Sequence, residues 1–79
     1  MKKLIISEDQ ISLDYAVIEG EYFNEIVYIQ QKGVGEVIEG ADDRGNGLRL
    51  RIDSIIDTRI VVQIVEIIPP SSGANQGAQ

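Results

Sequence analysis

The chain has 79 residues, with thirteen Asp and Glu against seven Lys and Arg, a net charge of −6, and no Cys, His or Trp. That composition removes the thiol nucleophile, the imidazole base, disulfides and the usual zinc ligands together, so no metal site and no cofactor is expected. An acidic chain whose longest basic run is Lys2-Lys3 also disfavours nucleic acid, because it repels phosphate unless its cations gather on one face.

Met1-Lys2-Lys3-Leu4-Ile5-Ile6 starts like a signal peptide, but Ser7-Glu8-Asp9-Gln10 interrupts the apolar run far too early. No stretch approaches the roughly 18 apolar residues of a membrane span. The expectation is a cytoplasmic protein with no membrane partner. Isoleucine and valine supply 21 of the residues, and branching at Cβ favours extended backbone. The expected fold is therefore all-β or β-rich: a small barrel or compact antiparallel sheet of about five strands, with room for one short helix near the N-terminus. Residues 1–68 form a single domain, and 69–79, opened by Pro69-Pro70 and otherwise small and polar, form a flexible tail. A domain of this size buries only about 60% of its unfolded surface. Without disulfides or zinc, homo-oligomerisation is the expected remedy.

In chain order, residues 4–6 form a first short strand ended by the polar residues 7–10. Residues 11–31 carry two competing periods. At period 3.6, Ile11, Tyr15, Ile18, Tyr22, Ile26 and Ile29 line one helical stripe, with Ser7 and Gln10 as a capping box. At period 2, residues 15–18 and 25–31 are strands joined around 19–24, with Gly20 near the turn. The strand reading is preferred, because Gly20 interrupts the stripe and Ile26, Val27 and Ile29 are poor helix formers; a short helix over 8–18 followed by a strand is a third outcome.

The remainder is clearer. Lys32-Gly33-Val34-Gly35 is a turn, 36–39 a strand, and 40–47 an Asp- and Gly-rich hairpin tip. Residues 48–52 alternate cleanly, with Leu48, Leu50 and Ile52 on one face and Arg49 and Arg51 on the other. Residues 53–58 make a tight corner, in which Ile55 and Ile56 either continue the sheet or start one helical turn. Residues 59–68 (RIVVQIVEII) are apolar on both faces, with Ile60, Val62, Ile64 and Ile68 on one and Val61, Val65 and Ile67 on the other, which asks for cover on both sides. A domain this small has little second cover of its own, so this strand is the main argument for self-association.

Four constellations bear on chemistry. Arg49 and Arg51, with Arg59, could grip a small anion such as a nucleotide at subunit boundaries; the plainer reading pairs them across strands with Glu36, Glu39 or Asp57. Tyr15, Tyr22, Phe23 and Tyr28, interleaved with Asp14, Glu19, Glu21 and Glu25, read most plainly as core aromatics beside solvated acids; as a site they suit a partner-binding surface better than acid–base catalysis. Residues 42–53 overlay a calcium loop poorly, since Arg44 stands where a carboxylate is required. The glycines at 33 and 35 lack both the P-loop ending and the dinucleotide-binding triplet. The expected function is a non-enzymatic binding or assembly protein that self-associates and contacts a protein partner, as an accessory or inhibitor. The alternatives are an oligomeric binder of a small anionic ligand and a minor structural component of a larger particle.

Overall fold

A computed structural model describes residues 3–70; the expected tail lies outside the described residues from position 71 onward. Six strands form one sheet: β1 (Ile5–Ile6), β2 (Ile11–Ser12), β3 (Tyr15–Ile18), β4 (Val37–Asp42), β5 (Gly47–Ile56) and β6 (Arg59–Ile68). Their spatial order is β1-β4-β5-β6-β3-β2. β1 runs parallel to β4, and every other neighbouring pair is antiparallel. The two edge strands follow one another in sequence, joined by the 3₁₀ turn Glu8–Gln10. The sheet therefore comes round nearly to closure as a small barrel, the β-rich class that the Ile/Val content implies, with six strands rather than five.

The capping-box residues Ser7 and Gln10 are used, but in that 3₁₀ turn and not at the head of a long helix. Ser7 N–H donates to Gln10 Oε1 (2.9 Å), and Gln10 Nε2 donates to the Val17 carbonyl (3.2 Å), tying the turn to β3. β5 alternates as its sequence demands: Leu48, Leu50 and Ile52 are buried while Arg49, Arg51 and Asp53 are exposed. Asp57, at φ 55°, makes the tight corner into β6, so Ile55 and Ile56 continue β5.

Two expectations require correction. Residues 25–31 are not a strand: α1 (Glu21–Asn24) runs directly into a π-helical turn (Glu25–Ile29). Gly20, at φ 74°, turns the chain out of β3. Phe23 and Ile26 then enter the core, with Tyr22 and Val27 packed beside them. Phe23 and Ile26 are three residues apart, so a strand would send them to opposite faces whereas a helix puts them on one. Joint burial outweighs the weak helix propensity of Ile26, Val27 and Ile29. The wide turn is held by Gln30 N–H donating to the Glu25 carbonyl (2.8 Å), and Lys32 N–H donates to that of Ile26 (2.9 Å), with Gln31 left-handed at φ 57°.

The second correction concerns the hairpin tip, narrowed to 43–46 because Gly47 starts β5 and β4 runs on through Asp42, taking in Gly40. A Cβ there would lie 3.0 Å from the Leu4 carbonyl oxygen and 3.1 Å from Leu4 Cγ. The missing side chain is what lets the chain entering β1 lie against β4. That same carbonyl accepts from Ala41 N–H (2.9 Å).

Topology gives the barrel two unlike ends. The helix leaves from the end of β3 and returns to the start of β4, so Phe23 and Ile26 plug the end near Ile18 and Ile60. The opposite end collects the β2–β3 turn, the β4–β5 hairpin and the last residues of β6. No helix lies over it among the described residues, and none is long and apolar enough to cross a membrane.

Gly40→Ala is expected to lower the unfolding free energy by about 1–3 kcal/mol in a urea titration, because the Leu4 carbonyl is already engaged and cannot retreat. Gln31→Gly is expected to raise it by about 0.5–1 kcal/mol, the left-handed strain relieved less the added entropy of the unfolded glycine.

Candidate functional site

β6 does not keep one face inward along its length. Leu50 opposes Ile64, yet Arg49 opposes Glu66, so Val65 is an extra residue in the ladder. Such a bulge inverts the side-chain alternation beyond it. Before it, Ile60 and Val62 are buried and Ile64 is half-buried. After it, Ile67 opposes the core residue Leu48, and Ile68 opposes Gly47. This corrects the simple alternation, which groups Ile68 with Ile60 and Ile67 with Val61. Ile67 now faces inward at an end that no other element covers among the described residues, and is 60% exposed.

The result is a cleft of ≈ 600 Å³ at the open end. Leu48, Ile11 and Ile64 form its more buried floor, and Leu13, Val65 and Ile67 its exposed apolar wall. Leu13 is the unusual residue. It sits in the two-residue turn between β2 and β3, at φ 58°, and is 94% exposed. A leucine in left-handed backbone costs on the order of 1–3 kcal/mol, with no burial here to offset it. Acidic side chains surround this wall: Glu8, Asp14, Asp42, Asp43 and Glu66, against the single cation Arg44.

Local contacts fix the charged loop. The Asp42 carboxylate accepts from Arg44 N–H (2.9 Å), Asn46 N–H (2.8 Å) and Asn46 Nδ2 (2.7 Å). The Asn46 side-chain bond, helped by these backbone donors and the Arg44 charge and opposed by desolvation, holds the carboxyl below its ordinary pKa. Arg44 pairs with Glu8 (2.7 Å), latching the hairpin to the 3₁₀ turn. Asp42 therefore orders a turn. Asp53, the other end of the calcium overlay, stands well up β5, roughly 20 Å along the strand from Asn46, and the two cannot share an ion.

The arginines face outward on another part of the barrel. Arg49 lies between Glu39 (3.6 Å) and Glu66 (3.0 Å), its cross-strand neighbours on both sides. Arg51 donates to Gln63 Oε1 (2.8 Å), and Gln63 Nε2 donates to Asp14 Oδ2 (3.4 Å). Arg59 is four residues along β6 from Gln63, or about 13 Å, and pairs with Glu19 (3.6 Å). Arg49 and Arg51 are brought together on one face, Arg59 is not, and all three guanidinium groups have protein partners.

The aromatic candidates divide as well. Phe23 is 5% exposed, so it belongs to the core and not to a partner surface. Tyr22 is half-buried, its hydroxyl donating to the Lys3 carbonyl (3.0 Å). Tyr28 packs edge-on against Phe23 with ring centroids 5.9 Å apart and, with Tyr15, remains open to solvent. A second cleft, of ≈ 640 Å³, lies between the helix and β4, with Lys3 and Lys32 balancing Glu25 and Glu39. Sequence reasoning missed Leu13. The only local signal was an isolated apolar residue before Asp14, which alternation alone could not distinguish.

No family model matches the chain. No curated protein matches it either. Among solved structures, one described as the crystal structure of "an hypothetical protein" superposes with a TM-score of 0.72 at 19% identity, over 84% of this chain and 28% of that one. At that identity the likeness shows the fold alone, and the chain spans under a third of its neighbour's length.

Because the Asp42 pKa is lowered on folding, its contribution to stability is present above its unfolded value of about 3.9 and is lost as pH falls through the folded value. The difference in urea midpoint between wild type and Asp42→Asn is therefore expected to be constant above about pH 5 and to shrink below about pH 4. A pH-independent difference would mean that the carboxylate charge plays no part in ordering the hairpin.

Proposed function

We propose that this domain is a non-catalytic binding module that contacts a protein partner through the open end of its barrel. The carrying observation is the cluster of Leu13, Val65 and Ile67, exposed together at the one end that the helix leaves uncovered. Contiguous apolar surface rimmed by polar groups is the usual mark of an interaction site. A non-catalytic role is supported by the burial pattern: among the described residues, no polar or charged side chain is buried. The solved neighbour, in which the matched fold makes up 28% of the chain, is compatible with a module used beside other domains.

Self-association is the second reading, favoured by the exposed aliphatic residues Val65, Ile67 and Ile68 at the end of β6. Capture of a small anion is less well supported, because Arg49, Arg51 and Arg59 already have partners within the chain.

Native mass spectrometry of the protein taken from cell extract separates these readings. The expected result is a stoichiometric protein complex that survives Arg49→Ala and is lost in Ile67→Asp. A bound nucleotide lost in Arg49→Ala or Arg51→Ala would replace this reading with the anion binder. A homo-oligomer abolished by Ile67→Asp, with no second protein, would establish self-association at this end instead.

A further inference from the structure

Resting on the reading of the open end as a binding site, we infer that its occupant is a basic amphipathic peptide segment: a bulky apolar side chain flanked by lysine or arginine. The apolar part follows from the cleft. Leu48, Ile11 and Ile64 provide a preformed floor, and Val65 and Ile67 a wall that the bulge in β6 holds open. Leu13 forms the rest of that wall from the β2–β3 turn. Glycine, asparagine or aspartate would fit its left-handed backbone more readily. A fully exposed leucine there loses twice, through strain and through hydration, and both losses are offset if a partner covers the side chain.

The charged part follows from the rim. Five carboxylates and one guanidinium line the cleft, and the guanidinium, on Arg44, is already paired with Glu8. Glu66 shares Arg49 with Glu39, Asp42 is bound by its own hairpin, and Asp43 has no ion pair among the described residues. The field at the mouth is negative, as is that of the whole chain at −6. A second copy seated here by a two-fold axis would bring the same carboxylates face to face, and like charges across an interface oppose docking. A cationic segment gains from the same field and is steered to it.

The test uses the full chain, labelled with nitrogen-15, titrated with three synthetic heptapeptides and followed by amide chemical shifts at low salt. The first flanks a leucine–tryptophan pair with lysines, the second flanks the same pair with glutamates, and the third has lysines without the apolar pair. The lysine-flanked apolar peptide is expected to shift the amides of Leu13, Val65 and Ile67 saturably, and the other two at least tenfold more weakly. Leu13→Gly, which keeps the turn's backbone and removes the side chain, is expected to weaken binding about tenfold without lowering the urea midpoint.

Equal binding of the glutamate-flanked peptide at these amides, or concentration-dependent shifts there without any peptide, would overturn the basic-segment proposal and leave the open end as a binding site. Shifts confined to another face, or no shift with any peptide at any protein concentration, would overturn the proposal and the binding-site reading together. Undiminished binding by a folded Leu13→Gly variant would remove Leu13 from the site and sink the argument built on its strain.

Discussion

Along its first half β6 has a strand on each side, β5 and β3; along its second half it has β5 alone. The division falls at Val65, where the ladder takes in an extra residue and the alternation reverses. Burial follows it closely. Ile60 and Val62 lie at the centre of the core, whereas Val65, Ile67 and Ile68 remain exposed. One aliphatic strand thus performs two jobs. It fills the core at the end that the helix plugs, and it presents surplus apolar surface at the other. Among the described residues of this small barrel one end is capped and the other is not, and surface grows relative to core as a domain's size falls. The helix, inserted between β3 and β4, can reach only one.

The sequence made the parts of this arrangement with strong periodicity legible. Leu48, Leu50 and Ile52 against Arg49 and Arg51 define β5 and its faces without ambiguity, and the two-sided apolarity of residues 59–68 correctly marks a strand with more apolar surface than the domain encloses. Legibility ends wherever a tertiary contact decides. The helix at 21–29 depends on Phe23 and Ile26 meeting a core supplied by distant strands, so local propensity misleads there. Gly40 resembles a turn glycine until Leu4 is brought against it across the β1–β4 pair. The bulge at Val65 has no signature in RIVVQIVEII, because every residue around it suits a strand equally well. The apolar half of the candidate site was for that reason visible as composition but not as location.

The outer face explains why an arginine-rich strand need not be a ligand site. Glu39, Arg49 and Glu66 form a row across β4, β5 and β6, and Arg51 continues into Gln63 and Asp14 one pair away. Exposed pairs of this kind contribute at most about 1 kcal/mol each. Their larger effect is on register: a slip of one residue along β5 would set Arg49 and Arg51 into the core face and Leu50 outside, so the charges penalise every odd-numbered slip. The acidic excess of the chain is then left unevenly distributed: Glu8 and Glu66 are paired with Arg44 and Arg49, whereas Asp14, Asp42 and Asp43, in or beside the turns of the open end, have no ion pair among the described residues.

That distribution bears on which surfaces the open end can meet. Exposed Val65, Ile67 and Leu13 would make the open end adhesive if it were neutral, since apolar patches of this sort drive unselective contact. The carboxylates around them discourage contact with other acidic surfaces, this chain's own included, while leaving it open to cations. In the proposed binding role, apolar surface would supply the attraction and charge the discrimination, a division of labour that specificity generally requires. The hairpin that carries Asp42 and Asp43 is in turn fixed by Asn46 and by the Arg44–Glu8 latch. The carboxylates are thereby held at the mouth instead of drifting with a loose loop, and preorganisation of that kind lowers the entropy lost when a partner docks.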